Sequence, residues 1–173
     1  MKRLALLAAA ALAAMPVLAD RDDGPIRARL SGLQEVPVVL TNASGEFEAR
    51  IANDGASITY ELTYSGLQGQ VRQAHIHVAQ RNVNGAIVLW LCGSALNPGP
   101  AGTQTCPQQG SVRGTLVAAN VQAGGTQQVA DLADVVDALR NGAGYVNVHT
   151  DLSPGGEIRG QLGGRGNSLG HAH

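Results

Sequence analysis

"EFEARIANDGASITYELTYS", residues 46 to 65, decides the fold. Its first half alternates, with Phe47, Ala49 and Ile51 set against Glu46, Glu48 and Arg50. Its second half alternates again, placing Ile58, Tyr60, Leu62 and Tyr64 on one side. A period of two is that of a half-buried strand. Asn53-Asp54-Gly55 between the halves is a turn signal. The stretch therefore predicts a hairpin of strands Glu46–Ala52 and Ser57–Tyr64. Glu46 and Glu48 fall on its solvated face. One apolar face needs a core to cover it, so further strands are expected.

They follow outward from the hairpin. Ile26–Leu33, Val71–Val78, Ala86–Leu91, Val112–Ala118, Tyr145–His149 and Glu157–Leu162 all read as short strands separated by Gly, Pro and Asn. One segment breaks the rhythm. Leu132, Val135, Val136 and Leu139 recur at helical spacing, with Asp131 at the start and Gly142 past the end. The sum is an all-β fold, an eight-stranded barrel or sandwich with one short helix.

The ends read differently. Met1-Lys2-Arg3, an apolar run from Leu4 to Leu18 and the charged Asp20-Arg21-Asp22-Asp23 predict a signal peptide over residues 1–19. The domain then spans 20–162, and 163–173 is a tail without periodicity. A periplasmic or secreted location follows. It makes a Cys92–Cys106 disulfide the expected state of the two cysteines. Formal net charge is −1, which gives no basic surplus for nucleic acid or an anionic membrane. One Phe, one Trp and three Tyr are too few for stacking platforms.

Chemistry concentrates in "QAHIHVA", residues 73 to 79. On a strand His75 and His77 share a face, and Ala74, Ile76 and Val78 take the core side. In "YVNVHT", residues 145 to 150, Val146 and Val148 are core, so Asn147 and His149 face away from it. A lone H-x-H is satisfied by two solvated side chains. A third histidine in matching register shifts the balance toward a metal ion, because three imidazoles suit copper or zinc. Neutral imidazole is the ligand, so metal binding is expected to weaken as pH falls through roughly 6.5. Asn147 and Asp151 are candidate outer partners of the ligands. His171 and His173 form another H-x-H, a candidate auxiliary metal pair in the tail.

"LSGLQEVPVV" (30–39), "ITYELTYSGLQGQVRQAHIHVA" (58–79) and "DVVDALRNGAGYVNVHTDLSPGGEIRGQL" (134–162) resemble the CHRD domain, a module known from chordin and from exported bacterial proteins. That resemblance implies an exported β domain and, in a metal-free form, contacts with an extracytoplasmic protein partner. A more distant similarity links "AHIHVA" and "VNVHTDLSPGGEIRGQL" to the Cu/Zn superoxide dismutases. It implies a Greek-key barrel and makes His75, His77 and His149 the counterparts of three copper ligands. Copper is then the first choice and zinc the second. Residues 79–148 hold no histidine, so the bridging ligand and zinc cluster have no counterpart. At the position of the dismutase arginine stands Gly156, with Arg159 nearby beside Glu157. The similarity thus implies copper binding, storage or redox chemistry, and leaves dismutase catalysis without its usual guiding groups.

Overall fold

The computed structural model describes residues 24–163. The expected signal peptide over 1–19 and the tail histidines His171 and His173 lie outside them. Eight antiparallel strands form one sheet: β1 (Ile26–Ser31), β2 (Ser44–Ile51), β3 (Ser57–Ser65), β4 (Val71–Val78), β5 (Ala86–Cys92), β6 (Gly110–Val117), β7 (Gly144–Thr150) and β8 (Ile158–Gln161). The order across the sheet is β5-β4-β7-β8-β1-β2-β3-β6. The two end strands, β5 and β6, approach each other, so the sheet curls into a nearly closed barrel. One helix, α1 (Leu132–Arg140), is present among the described residues.

The hairpin forms in the register its alternation demands. Phe47 faces Leu62, and Ala49 faces Tyr60. Phe47, Ile58, Leu62 and Tyr64 fill the barrel with Leu30, Ile76, Leu89, Val146 and Ile158. The outer row of β2 is exposed, and Glu48 meets Arg27 and Arg50 there. In α1 the side chain of Asp131 accepts from the amides of Ala133 and Asp134, as an N-cap does. Leu132, Val135, Val136 and Leu139 are its buried stripe. β1 ends earlier than its alternation predicts: Gly32–Gln34 is a 3-10 turn that starts a long loop back to β2.

Cys92 and Cys106 are bonded, as expected. They close the 93–105 loop, which lays Gly99 against the indole of Trp90 on β5.

The main departure from a two-faced barrel lies in β7. Every residue from Gly144 to Thr150 is buried, on both faces. Its outer side is covered by the loop after β1 and by the segments around residues 83–85 and 151–157. Glu157, fully buried, fastens this cover. Its carboxylate accepts from Thr41 Oγ1 at 2.9 Å, Thr150 Oγ1 at 2.8 Å and the amides of Gln68 and Gly69 at 2.8 and 3.4 Å. Losing this acceptor would strand the buried Thr150 hydroxyl and Gly69 amide without a partner. Glu157→Ala should therefore destabilise the fold by roughly 3 kcal/mol or more, read as a lowered midpoint in urea. An unchanged midpoint would show that the cover is not fastened there.

Candidate metal centre

The site grows from strand pairing. β4 lies antiparallel between β5 and β7, with His75 opposite Trp90 on one side and Asn147 on the other. His77 faces Tyr145, and His149 faces Gln73, one step diagonally from His75. Register shifts on either side of His75 and Ile76, relative to β5, re-aim the two imidazoles, as bulges do. The three histidines expected from parity thus meet on the side of the sheet away from the core. Their candidate ligand nitrogens all lie within 4.8 Å of one another, a cluster that could hold a metal ion.

The expected alternative of solvated side chains is ruled out by burial. His75, His77 and His149 are 0%, 6% and 7% exposed. The sequence showed which face they take, but not that this face is covered.

Rings and carbonyls orient them. His77 stacks on Tyr145, with centroids 4.5 Å apart and planes 3° from parallel. The Arg159 guanidinium lies 3.4 Å over the same tyrosine ring. His75 meets Trp90 edge-on at 4.3 Å. His77 Nδ1 is 3.0 Å from the Gly85 carbonyl, and His149 Nδ1 is 2.9 Å from that of Pro154. A carbonyl only accepts, so the tautomer with its proton on Nδ1 satisfies both contacts and leaves each Nε2 with its lone pair. Gly85 comes close enough for this because it lacks a side chain; a Cβ there would collide with the Val78 carbonyl. His149 Nε2 and both nitrogens of His75 have no hydrogen-bond partner.

The environment keeps the rings neutral. Burial pushes the pKa of His75 down to about 2, helped by His149 and His77. Burial lowers His77 to about 4; the Gly85 carbonyl and Asn147 oppose the shift, while His149 and Arg159 add to it. His149 is lowered by burial, against the pull of the Pro154 carbonyl. Neutral, dry and partly unbonded imidazoles are what a transition metal takes as ligands.

Of the expected outer partners, Asn147 reaches the site: its Oδ1 is 3.0 Å from His77 Nε2. Asp151 is exposed, and its Oδ1 accepts from the Gln70 amide at 2.7 Å. Arg159 shares its strand face with Glu157, as expected, but it is buried. Besides Tyr145 it engages Asn84 Oδ1 and the Val83 carbonyl.

Sequence reasoning missed Glu35. It is 4% exposed, and its Oε1 forms no hydrogen bond. Burial raises its pKa to about 7, although Arg159, the Val36 amide and the Asn147 amide pull the other way. A lone acid between Gln34 and Val36 carries no periodic signal, and only the folded loop brings it to Asn147. Trp90 and Tyr145 were missed as well. A strand-neighbour argument could have found Tyr145, four residues before His149 on the same face.

No curated protein and no solved structure matches the chain. The CHRD domain model matches residues 26–162, which spans every strand of the barrel and all three clustered histidines. The chain belongs to the CHRD domain family.

Proposed function

We propose that this CHRD domain protein is exported and binds one copper ion through His75, His77 and His149, for copper binding, storage or redox use. Zinc is the second choice. The observation that carries the reading is the set of bare nitrogens in a dry place: both of His75 and Nε2 of His149. An unbonded buried polar atom is costly, and a metal ion would take the lone pair of His149 Nε2 and that of one His75 nitrogen together. Copper ranks first because imidazole donors favour it among the divalent series. When bound, such an ion supplies one-electron chemistry. His77 and His149 would offer Nε2, each held in place by its Nδ1–H bond to a carbonyl. The disulfide supports an extracytoplasmic location. The strand order, with β6 beside β3 and β7 beside β4, supports a Greek-key barrel of the dismutase type.

A second reading, a metal-free module for an extracytoplasmic protein partner, has one observation in its favour. Leu33, Val38 and Leu40, on the loop after β1, are 70%, 61% and 81% exposed. Added Cu(II) separates the readings. A metal site raises folding stability by about 2.7 kcal/mol at a hundredfold excess over the dissociation constant, and a metal-free module does not respond.

Metal content after native purification tests the ligand set. His75→Ala, His77→Ala and His149→Ala should each lose stoichiometric copper, in a background carrying His171→Ala and His173→Ala to remove the tail pair. Copper retained at one equivalent by all three, with native circular dichroism, would overturn the assignment.

The pH dependence carries a sign. The unfolded chain takes up protons on these histidines near pH 6.5, whereas the fold resists until about 4 for His77 and about 2 for His75. The metal-free protein should thus be most stable above pH 6.5. It should lose up to about 1.4 kcal/mol per pH unit for each histidine as pH falls toward 4. Proton competition for the folded site begins lower than the sequence expectation of 6.5. Urea midpoints across pH 4–7.5 check the slope, and His75→Ala should flatten it.

A further inference from the structure

Asn147 meets His77 on the side where the ring would bind a metal. With its proton on Nδ1, donated in a hydrogen bond to the Gly85 carbonyl, the neutral His77 ring presents a lone pair at Nε2. Asn147 Oδ1, also an acceptor, stands 3.0 Å from that Nε2. In that tautomer two acceptors face each other, and either a second ring proton or a metal ion beside both relieves them. The amide is turned this way from behind. Asn147 Nδ2 points toward Gly156, where the Glu35 carboxyl also lies; a Cβ at position 156 would collide with Glu35 and come within 2.8 Å of Nδ2. The Asn147 amide is among the groups that lower the Glu35 pKa by hydrogen bonding, so its N–H end faces that carboxyl and Oδ1 is left facing His77. Two donors of one first-row metal ion sit roughly 2.9–3.4 Å apart at ordinary bond lengths and angles. The spacing between Nε2 and Oδ1 falls within that range.

We infer that Asn147 Oδ1 is a fourth, oxygen donor to the metal held by the three histidines, and that Glu35 is the positioning residue that aims it. This rests on the metal reading above. The centre is then three imidazoles and one amide oxygen, a harder donor set than three imidazoles alone. Such a set favours the divalent ion over Cu(I). It also occupies with protein a position that would otherwise fall to water or substrate, which suits holding a metal more than turning over a ligand on it.

The test uses the full-length secreted protein with His171→Ala and His173→Ala, loaded with Cu(II). Affinity is read by competition with a chelator, and the donor set by electron spin resonance. Asn147→Ala should weaken Cu(II) binding roughly tenfold or more and shift the parallel g value and copper hyperfine splitting, while nitrogen splitting from three imidazoles persists. Asn147→Asp restores an oxygen donor and should recover the affinity, which also guards against misreading a folding defect. Glu35→Gln should give a smaller loss with a partial spectral shift. If Asn147→Ala binds copper as tightly as the parent, or more tightly, with an unchanged spectrum, the amide is only a neighbour of His77 and this inference fails alone. If the parent protein takes up no copper, the three-histidine reading fails first.

Discussion

The constraint on which the site depends is that β7 is dry on both faces. In an ordinary half-buried sheet, the side chains that leave the core meet water, which satisfies any polar atom they carry. Here Tyr145, Asn147 and His149 leave the core and enter a second enclosed layer. The rule that buried polar atoms need partners then applies outside the barrel as it does inside. Most of the layer obeys it. The Tyr145 hydroxyl accepts from the Gly85 amide, Thr150 bonds Glu157, and Arg159 is held by Asn84 and Val83. The imidazoles of His75 and His149 retain bare nitrogens where the three histidines converge, and Glu35 keeps a bare oxygen beside them.

Local alternation made much of this legible. Phe47 opposite Leu62 and Ala49 opposite Tyr60 follow from the pattern of residues 46–65 and a short turn. The face taken by His75, His77 and His149 follows from Ala74, Ile76, Val146 and Val148, since a strand cannot turn one side chain without turning all. Asp131 and the stripe from Leu132 to Leu139 locate α1 to within a residue.

The remainder depends on chain distant in sequence. That β4 adjoins β7 is a pairing across some seventy residues, as His75 and Asn147 show, and no local pattern encodes it. The burial of the histidines depends on loops folding over them, and those loops are held by single long-range bonds such as Thr41 to Glu157. Glu35 is the sharpest case. Within "LQEVPVV" it reads as a solvated acid, and it becomes part of the site only because the loop after β1 carries it to Asn147 and Gly156.

Charge gives these distant groups a common logic. A divalent ion among three neutral imidazoles in a dry layer carries uncompensated charge, and burying charge without a partner is unfavourable. Two buried acids lie in this part of the molecule. Glu157 is engaged by four donors that pin the loops, so its oxygens are already satisfied. Glu35 has an unbonded oxygen, and burial raises its pKa to about 7 against the pull of Arg159. A metal ion two groups away, beyond Asn147, would favour its ionised form, and the ionised carboxylate would in turn hold the amide more firmly. Arg159 likewise favours ionised Glu35, and from the Tyr145 side its positive charge is one of the influences that lower His77. The centre is thus set between a fixed cation and an acid that can ionise, so the charge on Glu35 and the occupancy of the histidines should rise together.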